Sequence, residues 1–239
     1  MMLAFLHVAF GLSLGLRARA PAQQCGAVML GNPFGGIKNP FSDKTAGATS
    51  VSLTLSFRVE DRGSRSVLGQ LETLASAADT STNHGFSALC ADTALLLLRR
   101  QNEWLACSGN SVHKGNADDA LSSFDRQAIR EAAKFDERDA SSTVDSALAA
   151  AGVGSRAKGA STVAVVCAVA CLGGDRAEEL GGLFAGDAKM MRMALEELAA
   201  AGNADEQVFA FELFWVPGED DEVLDMDEVL LEWPELMSC

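Results

Sequence analysis

Val51-Ser52-Leu53-Thr54-Leu55-Ser56-Phe57-Arg58-Val59 alternates without a break. Val51, Leu53, Leu55, Phe57 and Val59 fall on one side of an extended chain, and Ser52, Thr54, Ser56 and Arg58 on the other. A period of two is that of a pleated strand, so this stretch predicts a half-buried β-strand. Further along, residues 162–171 and 207–216 are apolar at odd and even positions alike, the pattern of central strands covered on both faces. Pro217 stops the second of them, and residues 104–108 predict another short strand.

The segments between these strands carry helical spacing. Residues 66–78 place Val67, Leu68, Leu71, Leu74 and Ala75 on one stripe. A helix from Asn83 turns Phe86, Leu89, Cys90, Thr93, Leu96 and Leu97 inward, and its solid Leu95-Leu96-Leu97-Leu98 run predicts burial on more than one side. Residues 117–124 and 125–138 predict two helices, the second capped by Asp125. Asp187 predicts the cap of a helix bearing Met191, Ala194, Leu195 and Leu198. Asp225 with Glu228 three residues on forms a capping-box pattern, which predicts a short last helix with Met226, Val229, Leu230 and Trp233 inward and Pro234 at its end. The sum is an α+β fold, a small mixed β-sheet of about three to four strands packed with several helices.

Hydrophobic residues make up 48% of the 239-residue chain, which marks a globular rather than a disordered sequence. The formal net charge is −14, and it is not evenly spread. The last basic residue is Arg192; beyond it stand fourteen carboxylates, while the first 192 residues hold nineteen charges of each sign. No basic stripe exists, so phosphate repulsion disfavours nucleic acid as a partner. The acidic stretch reads as a solubilising face, with docking of a basic partner as the alternative.

Residues 3–16 form an apolar run of signal-core length, too short for a comfortable membrane span. No Lys or Arg precedes it, Ala18-Arg19-Ala20 offers a cleavage site, and no acidic residue occurs before Asp43. Residues 1–24 therefore predict a signal- or transit-like leader, with a retained anchor as the alternative. Residues 25–50 form a Gly/Pro-rich linker, in which Asn32-Pro33-Phe34 and Asn39-Pro40-Phe41 flank Gly35-Gly36. Residues 51–239 make one domain, and it has no run of eighteen apolar residues, so no membrane span is expected there.

No catalytic constellation stands out. Cys167 and Cys171 share one strand face but lie about 13 Å apart along it, which excludes a common metal ion or a bond between them. No two of the six cysteines have Cys-x-x-Cys spacing, so they read as small buried hydrophobes. A redox pair of distant cysteines, such as Cys90 and Cys107, is the alternative. Asp79, Thr80, Ser81 and His84 gather polar groups before a helix, where such residues satisfy free N–H groups. They form the candidate functional surface, and the alternative reading makes them the polar site of an uncharacterised enzyme. The Gly152-Val153-Gly154 loop precedes a strand instead of following one, which is the wrong place for a nucleotide loop. The Glu219-Asp220-Asp221-Glu222 run lacks the glycine and final glutamate of a calcium loop. No cofactor and no metal ligand set is expected.

Four short motifs carry a family resemblance. They are Ser76-Ala77-Ala78-Asp79-Thr80-Ser81-Thr82, the Leu95–Arg100 run ending at Trp104, Lys134-Phe135-Asp136-Glu137, and Phe214-Trp215-Val216-Pro217. In this order and spacing, over roughly residues 51–234, the chain resembles the DUF1517 family, whose plant members are called fluctuating-light acclimation proteins and which also occurs in cyanobacteria and algae. The resemblance implies a non-enzymatic plastid protein, associated with thylakoid or envelope, that modulates photosynthetic acclimation to changing light through protein partners. It implies no catalytic residues. A secreted or lumenal acidic interaction module, reached by the secretory pathway, is the rival reading.

Overall fold

The computed structural model describes residues 47–61, 63–79, 82–150, 162–204, 206–218 and 223–239, with residues 136–150 described by backbone alone. The leader, the linker up to residue 46, the 152–159 loop and the acidic 219–222 run lie outside the described residues, as do Thr80 and Ser81.

The first strand, β1 (Ala48–Arg58), leads through helices α1 (Val67–Ala77) and α2 (Asn83–Arg99) to β2 (Trp104–Lys114). Helix α3 (Ala117–Ala150) crosses to β3 (Val163–Gly173), followed by β4 (Leu183–Ala185) and helix α4 (Ala188–Gly202). Then come β5 (Val208–Val216), helix α5 (Met226–Glu232) and β6 (Met237–Ser238). The strands form one sheet in the order β4-β2-β1-β3-β5, with β6 also on the outer edge of β2, and every pairing is antiparallel. The class is α+β, as the patterns predict. Among the described residues the sheet has six strands, more than expected, because β4 and β6, three and two residues long, are too short to carry an alternating pattern.

β1 occupies the middle of this sheet, and that overturns the half-buried reading. Its apolar column packs under α1, α2 and α4, with Leu53, Leu55 and Phe57 joined by Leu71, Leu97, Leu195 and Phe211. Its hydroxyl column is buried as well: Ser50, Ser52, Thr54 and Ser56 are all at most 5% exposed, on the face covered by α3. Small hydroxyls make this possible, because they let a helix approach closely and find partners within the sheet. Ser50 donates to the carbonyl of Val112, and Ser52 meets the Cys167 sulfur at 3.7 Å.

α3 is one helix of 34 residues where two were expected. Asp125 is interior to it, and the cap sits earlier, where Asn116 accepts from the N–H of Asp118 at 2.9 Å. The physical reason is the stripe facing the sheet. Ala120, Phe124, Ala128, Ala132 and Phe135 are all buried, and this spacing continues through Asp125 with no Gly or Pro to break it.

The other caps agree with the sequence. Asp187 accepts from the N–H groups of Lys189 and Met190, and Asp225 and Glu228 form the complete capping box. In α5, Val229 and Trp233 are buried, but Met226 and Leu230 face outward, so the inner stripe is half as wide as expected. α2 is buried on several sides because α4 lies across it: a β-carbon on Gly202 would stand 2.6 Å from the carbonyl oxygen of Ser87. Among the described residues no helix is long and apolar enough to cross a membrane.

Candidate functional site

The polar turn before α2 is held by its own backbone. Thr82 is the cap, accepting from the N–H of Gly85 at 3.0 Å and donating to the carbonyl of Asp79. Gly85 is required here, since a β-carbon would come within 1.7 Å of the Asp79 oxygen. His84 is exposed on the first turn of the helix. Of the four residues expected at a functional surface, Asp79 and His84 are therefore placed on one closed turn. Thr80 and Ser81 lie outside the described residues.

A second polar assembly was not anticipated, because it draws on five separate parts of the chain. Leaving β3, the backbone crosses the end of the sheet beside Thr49 and His113. The Thr49 hydroxyl donates to the carbonyl of Gly174 at 2.9 Å and accepts from the N–H of Arg176 at 3.1 Å. His113 Nδ1 lies 3.3 Å from the same hydroxyl and 3.7 Å from Asp175. Arg176 then donates to the Gly173 carbonyl and the Gln207 side chain, both at 2.8–2.9 Å, and pairs with Glu197.

Hydroxyl, imidazole and carboxylate in contact resemble a nucleophile relay, but the geometry denies it. A threonine hydroxyl has one proton and two lone pairs. The proton is given to Gly174, so His113 can only be a donor to Thr49. The same ring nitrogen faces both Thr49 and Asp175, whereas a relay needs opposite nitrogens. This assembly clamps the crossing segment to the sheet.

The third assembly lies between α3 and the last helix. Glu131 is almost wholly buried, with its side chain 4% exposed. It accepts from Lys134 at 2.8 Å and from Arg130 at 3.2 Å, and Lys134 also pairs with Glu235. Burial opposes the charged ammonium of Lys134, but hydrogen bonds to the two glutamates outweigh it and hold the pKa above the ordinary lysine value. The sequence signal was the Lys134-Phe135 motif itself: Lys134 ties the ion pairs, and Phe135 stacks on Phe214 and meets Trp233 edge-on.

The described cysteines sort by surroundings. Burial pushes Cys90 upward and holds Cys167 and Cys171 at about 12, so these three are protonated hydrophobes. The Cys90 thiol points to the Leu198 carbonyl. Cys107 stands elsewhere, opposite Met237 on the β2 edge and two residues from Cys239, whose nearness lowers the Cys239 pKa and raises that of Cys107. The alternative of a Cys90–Cys107 pair is not met; the cysteine near Cys107 is Cys239, which spacing could not show because β6, just before Cys239, is so short.

A cleft of about 370 Å³ opens where β1 ends, lined by Arg58, Glu60, Asp61, Arg65, Arg100 and Glu103. Its charges are internally balanced, with Arg100 fixed by Glu103 at 2.6 Å. Among the described residues no group of three or more His, Cys, Asp or Glu side chains is placed to hold a metal ion.

The sequence profile of a family described as "Protein of unknown function (DUF1517)" matches residues 48–239. A protein of Synechocystis sp. named "Protein FLAP1 homolog A" is similar, at 28% identity over 172 residues, which takes in 70% of this chain and 50% of that protein. The chain thus spans about half the length of that relative. No solved structure matches.

Proposed function

Because the chain belongs to the DUF1517 family, we propose that it is a non-catalytic plastid protein that adjusts photosynthesis to changing light through contacts with a protein partner. The observation that carries this reading is the kinship with a Synechocystis protein named as a FLAP1 homolog. The acid-poor leader supports a plastid destination, at the thylakoid or the envelope. The polar assemblies support a role in contact rather than chemistry. Thr49 has spent its hydroxyl on the fold, Glu131 is neutralised by its own helix, and the buried thiols keep their protons. The partner-facing surface in this reading is the turn at Asp79 and His84, with Thr80 and Ser81 between them.

The test is physiological. Cells lacking the chain should match their parent in steady light and fall behind when light alternates over minutes, and a tagged copy should restore growth from within the plastid. Equal growth in both regimes, or a tag confined to the secretory pathway, would set the proposal aside. His84→Glu should fail to restore growth while leaving thermal unfolding unchanged.

A further inference from the structure

The short strand β6 brings together two cysteines that stand far apart in the chain. Cys107 pairs in register with Met237, and Ala106 with Ser238. Cys239 follows two residues past that partner, its N–H bound to the carbonyl of Leu105 at 3.2 Å. Residues two apart on a strand share a face. Cys239, just past the end of β6, accordingly stands diagonally across from Cys107 on the β2 edge. Both thiols are reduced. Cys107 is buried and Cys239 exposed, so only one of them meets solvent.

We propose that Cys107 and Cys239 form a reversible dithiol–disulfide site, closed by exchange with an external disulfide and opened by exchange with an external thiol, that fastens β6 to β2. The roles follow from placement. The exposed thiol is the attacker, and the buried one resolves. The nearness of Cys107 lowers the pKa of Cys239 and raises that of Cys107, which favours the thiolate on the accessible sulfur. The Cys239 thiolate attacks one sulfur of the external disulfide, whose S–S bond breaks and releases a thiolate. Cys107 then gives up its proton and attacks the Cys239 sulfur of the mixed disulfide, expelling the second external thiol. Two protein thiols lose two electrons and two protons, and the external disulfide gains them as two thiols.

The consequence lies in how weakly β6 is otherwise held. Two residues pair with β2, and the edge is completed by Gly186, whose N–H bonds the Cys107 carbonyl and on which a β-carbon would stand 2.8 Å from the Ser238 carbonyl oxygen. A covalent link at Cys239 fixes the end of a segment that in the dithiol state rests on two residue pairs, the Cys239 to Leu105 backbone bond, buried Trp233 and Leu236, and the Lys134–Glu235 ion pair.

The experiment uses the full chain, oxidised with glutathione disulfide under native conditions, alkylated and peptide-mapped. A link between Cys107 and Cys239, removed by dithiothreitol, is the expected result. Cys107→Ser should leave glutathione on Cys239, since nothing resolves the adduct. Cys239→Ser should leave Cys107 unmodified, and Cys90→Ser should change nothing. Amide exchange over residues 235–239 should slow about tenfold on oxidation. Links from Cys239 to another cysteine, or a stable glutathione adduct on the unaltered chain, would overturn the proposal. Because Cys239 is exposed, its serine variant tests the site even if Cys107→Ser unfolds.

Discussion

Lys134 donates to the carboxylate of Glu131 at 2.8 Å, one turn back along α3, while also meeting Glu235 of the closing segment. A single ammonium thereby neutralises a carboxylate inside the molecule and joins the 34-residue helix α3 to the segment after α5. Lys134→Met should destabilise the fold by roughly 3 kcal/mol at neutral pH, chiefly because Glu131 is left buried with Arg130 alone. The sign with pH follows from the raised folded pKa of Lys134. Its contribution is full below the ordinary lysine value near 10.5 and is lost as pH rises through the folded value. The gap between the two proteins in urea unfolding should therefore shrink only in strong alkali. A constant gap across that range would contradict it.

Gly85 closes the turn that caps α2 at a distance no side chain tolerates. Gly85→Ala gains helix propensity worth about 1 kcal/mol. It must also displace the Asp79 carbonyl, which ends the Thr82 contacts. A net loss of about 1–3 kcal/mol is expected. The denaturation midpoint measures it, and a rise in that midpoint would show the turn to be looser than described.

Thr49→Val keeps the shape of the side chain and removes its hydroxyl. Gly174 loses a donor, and the Arg176 N–H loses an acceptor. The cost should be about 1–3 kcal/mol. Hydrogen exchange at Arg176 should accelerate, and exchange in the middle of β3 should follow global stability alone.

The thiols of Cys167 and Cys171 are protonated in the fold up to about pH 12, against an ordinary value of 9.0. Burial is the larger cause in both. The folded state thus binds protons that the unfolded chain has released, and stability should fall as pH climbs from 9 toward 12. The double variant Cys167→Ala, Cys171→Ala should show a shallower alkaline decline, read as denaturation midpoint against pH. An unchanged slope would place the loss elsewhere.

Much of the fold was legible because its strong signals are local. Asp187, Asp225 and Glu228 cap helices as their spacing predicts, and β3 is buried on both faces as its composition requires, whereas β5, read as a central strand, forms an edge with Phe209 exposed. The errors have a common physical origin. Ser52, Thr54 and Ser56 look solvent-facing by polarity, yet their small size is what lets α3 lie against them. Asp125 has the chemistry of a cap but stands half-buried beside an unbroken apolar stripe. For the candidate sites, the Asp79–Gly85 turn is sequence-local and was visible. The Thr49, His113 and Arg176 clamp and the Cys107–Cys239 contact depend on pairings between distant strands, and no periodicity encodes those.

The strand order has a consequence for how the molecule assembles over time. β1, the first of the described strands, is central in the sheet and takes its second neighbour only when residues 163–173 are available. The β2 edge waits longer still, for residues 237–238. Non-local closure of this kind implies slow folding, on the order of milliseconds to seconds. During synthesis the apolar and hydroxyl columns of β1 emerge well before the helices that cover them. A nascent chain stalled before β3 would carry an open strand on both edges of an incomplete sheet, the state in which this protein is most exposed to aggregation and to chaperones.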